Sequence, residues 1–177
     1  MTFQQADAED LPFADASFDV VLSAFGVMFT PDQERAAREL LRVCRPGGTI
    51  GLVSWTPESF IGHVFRTIGK YIPPAPGVAS PALWGTEQRL RELFGDGIAE
   101  LRSTERTFVF RYRSAEHWLE VFRTYYGPLL KAFAALDPAG QAGLESDLLE
   151  LLRRFNQGGE ATLAVPSEYL EAVVTRR

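Results

Sequence analysis

The feature that most constrains the fold is a pair of apolar runs joined by one amphipathic segment. Residues 18–24 (FDVVLSA) and 49–55 (TIGLVSW) are rich in β-branched and apolar side chains, with little polar alternation. Strands of this kind are covered on both faces, as in parallel sheets. Residues 31–45 between them place apolar side chains at helical spacing. The sequence therefore predicts a strand–helix–strand unit and an α/β fold.

The ends of the intervening helix carry their own signals. Thr30 is expected to cap its amino terminus, with Pro31 at the first helical position and Gln33 completing a capping box. Residues 46–48 (PGG) are expected to end the helix before the second strand begins.

The rest of the chain alternates between helical and strand patterns. Helices are expected to begin near Thr56, Thr86 and Ser114, strands near 107–113 and 168–175, and a short strand at 2–6. Neither an internal repeat nor a linker is apparent. We therefore expect residues 1–177 to form a single domain.

Charge and composition exclude several classes of protein. The 177 residues carry a formal net charge of −5 and contain no long basic stretch, which disfavours binding to nucleic acid. The longest apolar stretch, residues 20–29, reaches about half the length of a membrane helix. We therefore expect a cytoplasmic protein that interacts with neither nucleic acid nor a membrane.

Residues with catalytic or metal-binding chemistry are few and scattered. Cys44 is the one cysteine, and the two histidines, His63 and His117, lie far apart in the sequence. They form no metal-ligand pattern and no acid–base or nucleophilic set. The sequence predicts no catalytic side chain and no metal site. Cys44 is expected to act as a small apolar residue on its helix.

Three motifs in a fixed order resemble one enzyme family. They are residues 7–13 (DAEDLPF), 15–21 (DASFDVV) and 40–48 (LLRVCRPGG). In this order they resemble the class I S-adenosylmethionine-dependent methyltransferases, particularly the small-molecule group called type 11. The resemblance covers the first third of the chain. It implies a partial Rossmann-like mixed sheet with packed helices, a last strand antiparallel between two others, and helical acceptor-side insertions within residues 61–160.

The resemblance also implies roles for individual residues. Asp7 would accept a hydrogen bond from the adenine amino group of S-adenosylmethionine, and Ala8 would offer its backbone N–H to the ring. Ser23, Ala24 and Phe25, at the end of a strand, would face the sulfonium and the methyl group. Two alternatives stay open: Asp7 as the cap of a turn, and Phe25 as a core residue.

One departure from the family pattern changes the expected activity. The family's glycine-rich turn and the acidic residue that binds the ribose are not found in this sequence, which begins at what resembles the third strand. We therefore expect the carboxyl-terminal two-thirds of a methyltransferase fold. Its binding of S-adenosylmethionine should be weak or absent and its activity low. The alternative is a non-catalytic binding or assembly module derived from a methyltransferase.

Two kinds of partner follow from this interpretation. The family implies a small-molecule methyl acceptor, whose identity the sequence does not specify. The strand at 18–24 would lack a neighbour on one side, and an unpaired apolar edge favours pairing with another chain. We expect either that residues 1–6 fold over this edge or that two chains form a homodimer there.

Overall fold

Four strands and six helices make up the regular structure of residues 1–159 and 161–177, which this computed structural model describes. The strands are Phe18–Ala24 (β1), Cys44–Trp55 (β2), Ile98–Tyr112 (β3) and Leu163–Arg176 (β4). The helices are Gln33–Val43 (α1), Phe60–Tyr71 (α2), Glu87–Phe94 (α3), Ala115–Tyr125 (α4), Gly127–Ala135 (α5) and Pro138–Phe155 (α6). Short 3₁₀ turns occur at Val27–Phe29, Pro81–Gly85 and Gly95–Gly97.

The four strands form one mixed sheet in the order β1-β2-β4-β3. Strands β1 and β2 are parallel, with Val20 opposite Thr49. Strand β4 runs antiparallel to β2, with Trp55 opposite Tyr169. This arrangement confirms the predicted α/β fold, the parallel strand pair and an antiparallel last strand between two others.

The start of α1 differs from the prediction. The helix begins at Gln33, and the Asp32 carboxylate caps it by accepting a hydrogen bond from the Arg35 backbone N–H. The Thr30 hydroxyl instead donates to the Val27 carbonyl at the end of the preceding 3₁₀ turn. The prediction that Thr30 caps α1 is therefore wrong. A carboxylate also interacts more favourably than a hydroxyl with the positive end of a helix dipole.

The boundary between α1 and β2 also differs from the prediction. Strand β2 begins at Cys44, so residues 46–48 lie inside the strand and do not separate it from the helix. The register with β1 shifts between Phe18 and Val20, and Gly47 has a φ of 73°. A glycine in the left-handed region lets the strand absorb the extra residues as an irregularity.

Other boundaries were predicted with mixed success. Thr86 and Ser114 cap α3 and α4 through their hydroxyl oxygens, as expected. Helix α2 begins at Phe60 with Ser59 as its cap, so the prediction that it starts near Thr56 is wrong. The predicted strand at 2–6 is also wrong, since these residues are exposed and lie in no strand.

The chain divides into two compact units. The first comprises Met1–Thr56, Gly77–Arg106 and Tyr169–Arg177, and the second comprises Pro57–Pro76 and Thr107–Glu168. The expectation of a single domain over residues 1–177 stays a prediction, because packing within each unit does not test it.

Each unit has its own apolar core. In the first, α1 packs against β2 and α3, and the buried side chains include Met28, Ile50, Trp84 and Leu90. In the second, α6 packs against α2 and α4. The buried side chains there include Phe60, Trp118, Leu129, Leu144, Leu148 and Leu152.

The close approach of Gly85 to the end of β2 yields a stability prediction. A Cβ added at Gly85 would lie 2.2 Å from the Trp55 carbonyl oxygen, whereas one added at Gly69 in α2 meets nothing within 4 Å. Gly85→Ala is expected to lower the free energy of unfolding by roughly 3 kcal/mol, because backbone must move. Gly69→Ala is the matched control and should raise it by about 0.5–1 kcal/mol. Chemical denaturation measures both, and a Gly85→Ala protein as stable as the wild type would contradict the predicted clash.

Candidate functional site

An open apolar cleft of about 440 Å³ lies along β1 in the first unit. Among the residues that the structure describes, β1 pairs only with β2, so its other edge is free. The cleft is formed by the loop before β1, by β1 and the turn after it, and by α1. Its lining residues are Ala8, Leu11, Phe13, Phe18, Val20, Val21, Leu22, Ser23, Gly26, Val27, Leu40 and Val43.

The cleft brings together two of the five predicted site residues. Ala8 and Ser23 line it, whereas Asp7, Ala24 and Phe25 do not. The Ser23 hydroxyl oxygen accepts a hydrogen bond from the Val27 backbone N–H at 2.9 Å, which fixes the turn after β1. The hydroxyl proton of Ser23 is not used in that bond, so it can still be donated.

Asp7 caps a turn, which is the alternative role expected for it from the sequence. One oxygen of its carboxylate accepts a hydrogen bond from the Glu9 backbone N–H at 2.9 Å, and its carbonyl accepts from the Asp10 N–H. The side chain is exposed. This bond leaves the second carboxylate oxygen available, so the adenine-binding role of Asp7 stays a prediction beside the turn role.

A group of hydrogen bonds made by Arg42 and Glu39, here called the charged clasp, joins α1 to the loop that contains Ala8. The Arg42 guanidinium donates to the carbonyls of Phe13 and Leu11 at 2.7 and 2.8 Å. It also donates to the carboxylates of Glu39 and Asp15. The Leu11 backbone N–H returns a hydrogen bond to Glu39 at 2.7 Å. Through these bonds one arginine fixes the loop wall of the cleft, because the planar guanidinium can donate in several directions at once.

The clasp lowers the pKa of the Glu39 carboxyl to about 2. The hydrogen bond from Arg42 is the largest cause, and the hydrogen bond from the Leu11 N–H adds to it, while partial burial acts in the opposite direction. Sequence reasoning missed this role of the helix. The available signal was the spacing of Glu39 and Arg42, which places both side chains on one face of α1.

Phe25 lies at the carboxyl end of β1 in a strained backbone conformation. Its φ is 52°, a left-handed value that is unfavourable for a bulky residue. Its backbone N–H donates to the Val53 carbonyl at 2.8 Å, and its ring stacks on Trp55 with centroids 4.2 Å apart. Tyr169 meets the Phe25 ring edge-on at 5.8 Å.

Phe25, Trp55 and Tyr169 therefore form an aromatic cluster where β1 and β2 end. Open α/β sheets bind ligands at this end of their strands. Phe25 is only half-buried, so it does not behave as an ordinary core residue. Met28, by contrast, is fully buried. The predicted placement of Phe25 toward the methyl group is not tested by this geometry and stays a prediction.

Neither a metal-binding cluster nor a membrane-spanning helix occurs in the part of the chain that the structure describes. Residues 1–159 and 161–177 contain no group of three or more His, Cys, Asp and Glu side chains that could hold a metal ion. No helix in that part of the chain combines the length and hydrophobicity needed to cross a membrane. Cys44 is buried, and burial raises the pKa of its thiol.

The first third of the chain matches a known family. Residues 1–52 match the family described as "Methyltransferase domain". A segment of 54 residues is 44% identical to a ubiquinone/menaquinone biosynthesis C-methyltransferase of Idiomarina loihiensis, covering 30% of this chain and 22% of that enzyme. These matches confirm the resemblance to methyltransferases inferred from the sequence motifs.

A longer match extends through most of the chain. An uncharacterized protein of Mycobacterium tuberculosis, Rv1405c, is 42% identical over 163 residues, which covers 90% of this chain and 60% of that protein. The chain thus spans about three-fifths of the length of this relative.

Solved structures with the same fold cover nearly the whole chain. The YcgJ protein of Bacillus subtilis superposes with a TM-score of 0.60 at 20% identity, covering 99% of this chain and 70% of that one. A Bacillus halodurans protein considered a methyltransferase gives a TM-score of 0.53 at 17% identity, covering 97% and 69%. At this identity the likeness establishes the Rossmann-like fold.

The charged clasp predicts a pH-dependent contribution to stability. Because the folded pKa of Glu39 is about 2, below the ordinary value of 4.5, its contribution is fully present above pH 4.5 and is lost as the pH falls toward 2. Glu39→Gln should lower the free energy of unfolding at pH 7 by roughly 2 kcal/mol. The difference in the free energy of unfolding between Glu39→Gln and the wild type should become smaller as the pH falls from 4.5 to 2.

Denaturant titrations across this pH range measure the effect. Glu120→Gln is the matched control, since Glu120 is an exposed carboxylate with no ion pair to any described residue. It should change stability by less than about 0.5 kcal/mol. A Glu39→Gln effect that is equally large at pH 2.5 and pH 7 would contradict the assigned role of the ionised carboxylate.

Proposed function

Because residues 1–52 relate the chain to the class I S-adenosylmethionine-dependent methyltransferases, we propose that it acts in methyl transfer from S-adenosylmethionine to a small molecule. The observation that carries this proposal is the position of the apolar cleft. Every residue that lines it lies between Ala8 and Val43, inside the segment that matches the methyltransferase domain. The cleft and the family match therefore coincide.

The walls of the cleft suit the adenine part of the cofactor. Val21, Val27 and Leu40 offer apolar surface on which a flat aromatic ring can pack. Ala8 lies at the cleft with its small side chain, and Asp7 is its neighbour in sequence, with one carboxylate oxygen not engaged by Glu9. These residues support the roles that the resemblance implies for Asp7 and Ala8.

The rest of the cofactor finds few partners in the cleft. No carboxylate side chain is among the residues that line it, and its one glycine, Gly26, follows β1 without forming a glycine-rich turn. The ribose hydroxyls and the charged methionine end therefore lack the groups that would hold them. The fit is limited to the adenine part of the cofactor.

The aromatic cluster supports a contribution to the methyl-transfer end. The resemblance implies that Phe25 faces the sulfonium together with Ser23 and Ala24, and the rings of Trp55 and Tyr169 pack against Phe25. The left-handed backbone conformation of Phe25 is strained, and such strain concentrates at functional sites. The proposed methyl acceptor is a small molecule, and the proposed place of action is the cytoplasm.

A second candidate function is an assembly module that pairs through β1. Within the described residues β1 has a partner strand on one side only, and its side chains Val20 and Leu22 are 53% and 76% exposed. The expectation that residues 1–6 cover this edge is wrong, since Met1 and Phe3 are themselves exposed. An exposed apolar strand edge favours pairing, and a second copy of the chain is the occupant that needs no other partner.

The limited fit predicts weak binding of S-adenosylmethionine. The comparison is with a complete cofactor site that binds with a Kd of about 1 μM. Losing several hydrogen bonds, some to charged groups, removes roughly 4 kcal/mol of binding free energy, or about a thousandfold in affinity. The expected Kd is therefore about 1 mM. Ala8→Trp should abolish binding by filling the cleft. Ala14→Trp is the matched control, because Ala14 is exposed and does not line the cleft.

Titration of the labelled protein followed by NMR measures this affinity. A Kd below about 10 μM would contradict the limited fit. No saturable binding of either S-adenosylmethionine or adenosine at several millimolar would contradict the methyltransferase proposal itself.

The assembly alternative predicts a dimer that depends on β1. Sedimentation at micromolar concentration should show a two-chain species, and the double change Val20→Lys, Leu22→Lys should convert it to a monomer, because charge on an exposed strand edge opposes pairing. Phe108→Lys is the control, since Phe108 is 50% exposed on β3, at the other end of the strand order. A wild-type protein that is monomeric at all concentrations would eliminate this alternative.

A further inference from the structure

A second cleft, of about 330 Å³, lies in the helical second unit between α2 and α6. Neither the family match nor the proposed methyl transfer assigns it a role, because residues 1–52 do not contribute to it. Its charged and titratable lining residues are His63, Arg66 and Lys70 from α2 and Asp147, Glu150 and Arg154 from α6.

Two of these cations are already compensated. The Lys70 ammonium lies 3.0 Å from the Asp147 carboxylate. The Arg66 guanidinium makes two hydrogen bonds to Glu58, at 3.0 and 3.3 Å. These pairs leave little net charge at their positions.

Arg154 is not compensated by any described carboxylate. Its guanidinium donates to Nδ1 of His63 at 3.2 Å and lies over the Phe155 ring, 5.2 Å from the centroid. Because arginine is always protonated, the His63 nitrogen that faces it must be the acceptor. Burial, together with Arg66 and Arg154, lowers the pKa of His63. The positive charge of Arg154 is thus left free to bind an anionic group.

Glu150 carries the opposite uncompensated charge in the same cleft. It lies one turn before Arg154 on α6, and no described cation is within ion-pair distance of it, Arg154 included. A ligand with only a negative charge would be attracted by Arg154 and repelled by Glu150. A ligand with a charge of each sign can satisfy both groups.

We propose that this cleft binds a small zwitterionic molecule, with its carboxylate on Arg154 and its ammonium group on Glu150. The planar guanidinium suits a carboxylate, which can accept two parallel hydrogen bonds. The carboxylate of Glu150 can accept hydrogen bonds from an ammonium group. The apolar side chain of Leu151 lines the same cleft and offers contact to the carbon chain between the two charges.

The test uses 4-aminobutanoate as the probe, with butanoate and butylammonium as matched molecules that carry one charge each. Spectra of the ¹⁵N-labelled full chain should show saturable shifts at α2 and α6 with the zwitterion. Each single-charge molecule should bind about tenfold more weakly or not at all. Saturable binding of butanoate as tight as that of the zwitterion would overturn the proposal in favour of a simple anion site, and an absence of saturable shifts with all three would overturn it outright.

Variants assign the two charges. Arg154→Gln and Glu150→Gln should each weaken binding of the zwitterion about tenfold, whereas Arg153→Gln, an exposed control on the same helix, should change it less than about twofold. Equal losses in all three would show diffuse attraction and overturn the proposal. A double-mutant cycle on the stability of the ligand-free protein tests whether Arg154 and Glu150 pair with each other. Strong coupling between Arg154 and Glu150 there would mean that they pair with each other, which also overturns it.

Discussion

The parallel pairing of β1 with β2 determines where the strand-end residues of the candidate methyl-transfer site lie. Parallel strands end at the same edge of a sheet, so the pairing brings Phe25 beside Trp55. Helix α1 must return along the sheet to connect the two strands, and it becomes one wall of the cleft. No strand of residues 1–159 and 161–177 pairs with the other edge of β1, and the cleft opens along this strand.

Charged side chains of α1 hold the backbone of the loop before β1. Arg42 and Glu39 bind the backbone of Leu11 and Phe13, and these bonds hold Ala8 at the mouth of the cleft. Apolar contact adds to these bonds, since Phe13 of the loop meets Phe18 edge-on with ring centroids 4.9 Å apart. The clasp is effective because its hydrogen bonds are charge-assisted, which makes them stronger than those between neutral groups.

Sequence patterns predicted the features that depend on local or periodic interactions. The apolar runs located β1 and most of β2, and the hydroxyl caps of Thr86 and Ser114 were correct because each bond lies within one helical turn. The antiparallel last strand followed from the family resemblance. The patterns failed where residues far apart in the sequence determine the local structure. Arg42 reaches carbonyls about thirty positions away, and the φ of Phe25 depends on Trp55 and Val53.

The clefts in the two units differ in how their ionised groups are used, and this difference determines what each can recognise. In the first unit Arg42 and Glu39 already bind each other and the loop backbone in the charged clasp. The walls of that cleft therefore select a ligand by shape and apolar contact. In the second unit Arg154 and Glu150 keep their charges unpaired among the described residues, so that cleft selects by the sign and spacing of charge. Salt screens interactions between exposed charges and leaves apolar contact nearly unchanged. The two modes of recognition can therefore be separated in one protein by ionic strength alone, since added salt should weaken only binding to the second cleft.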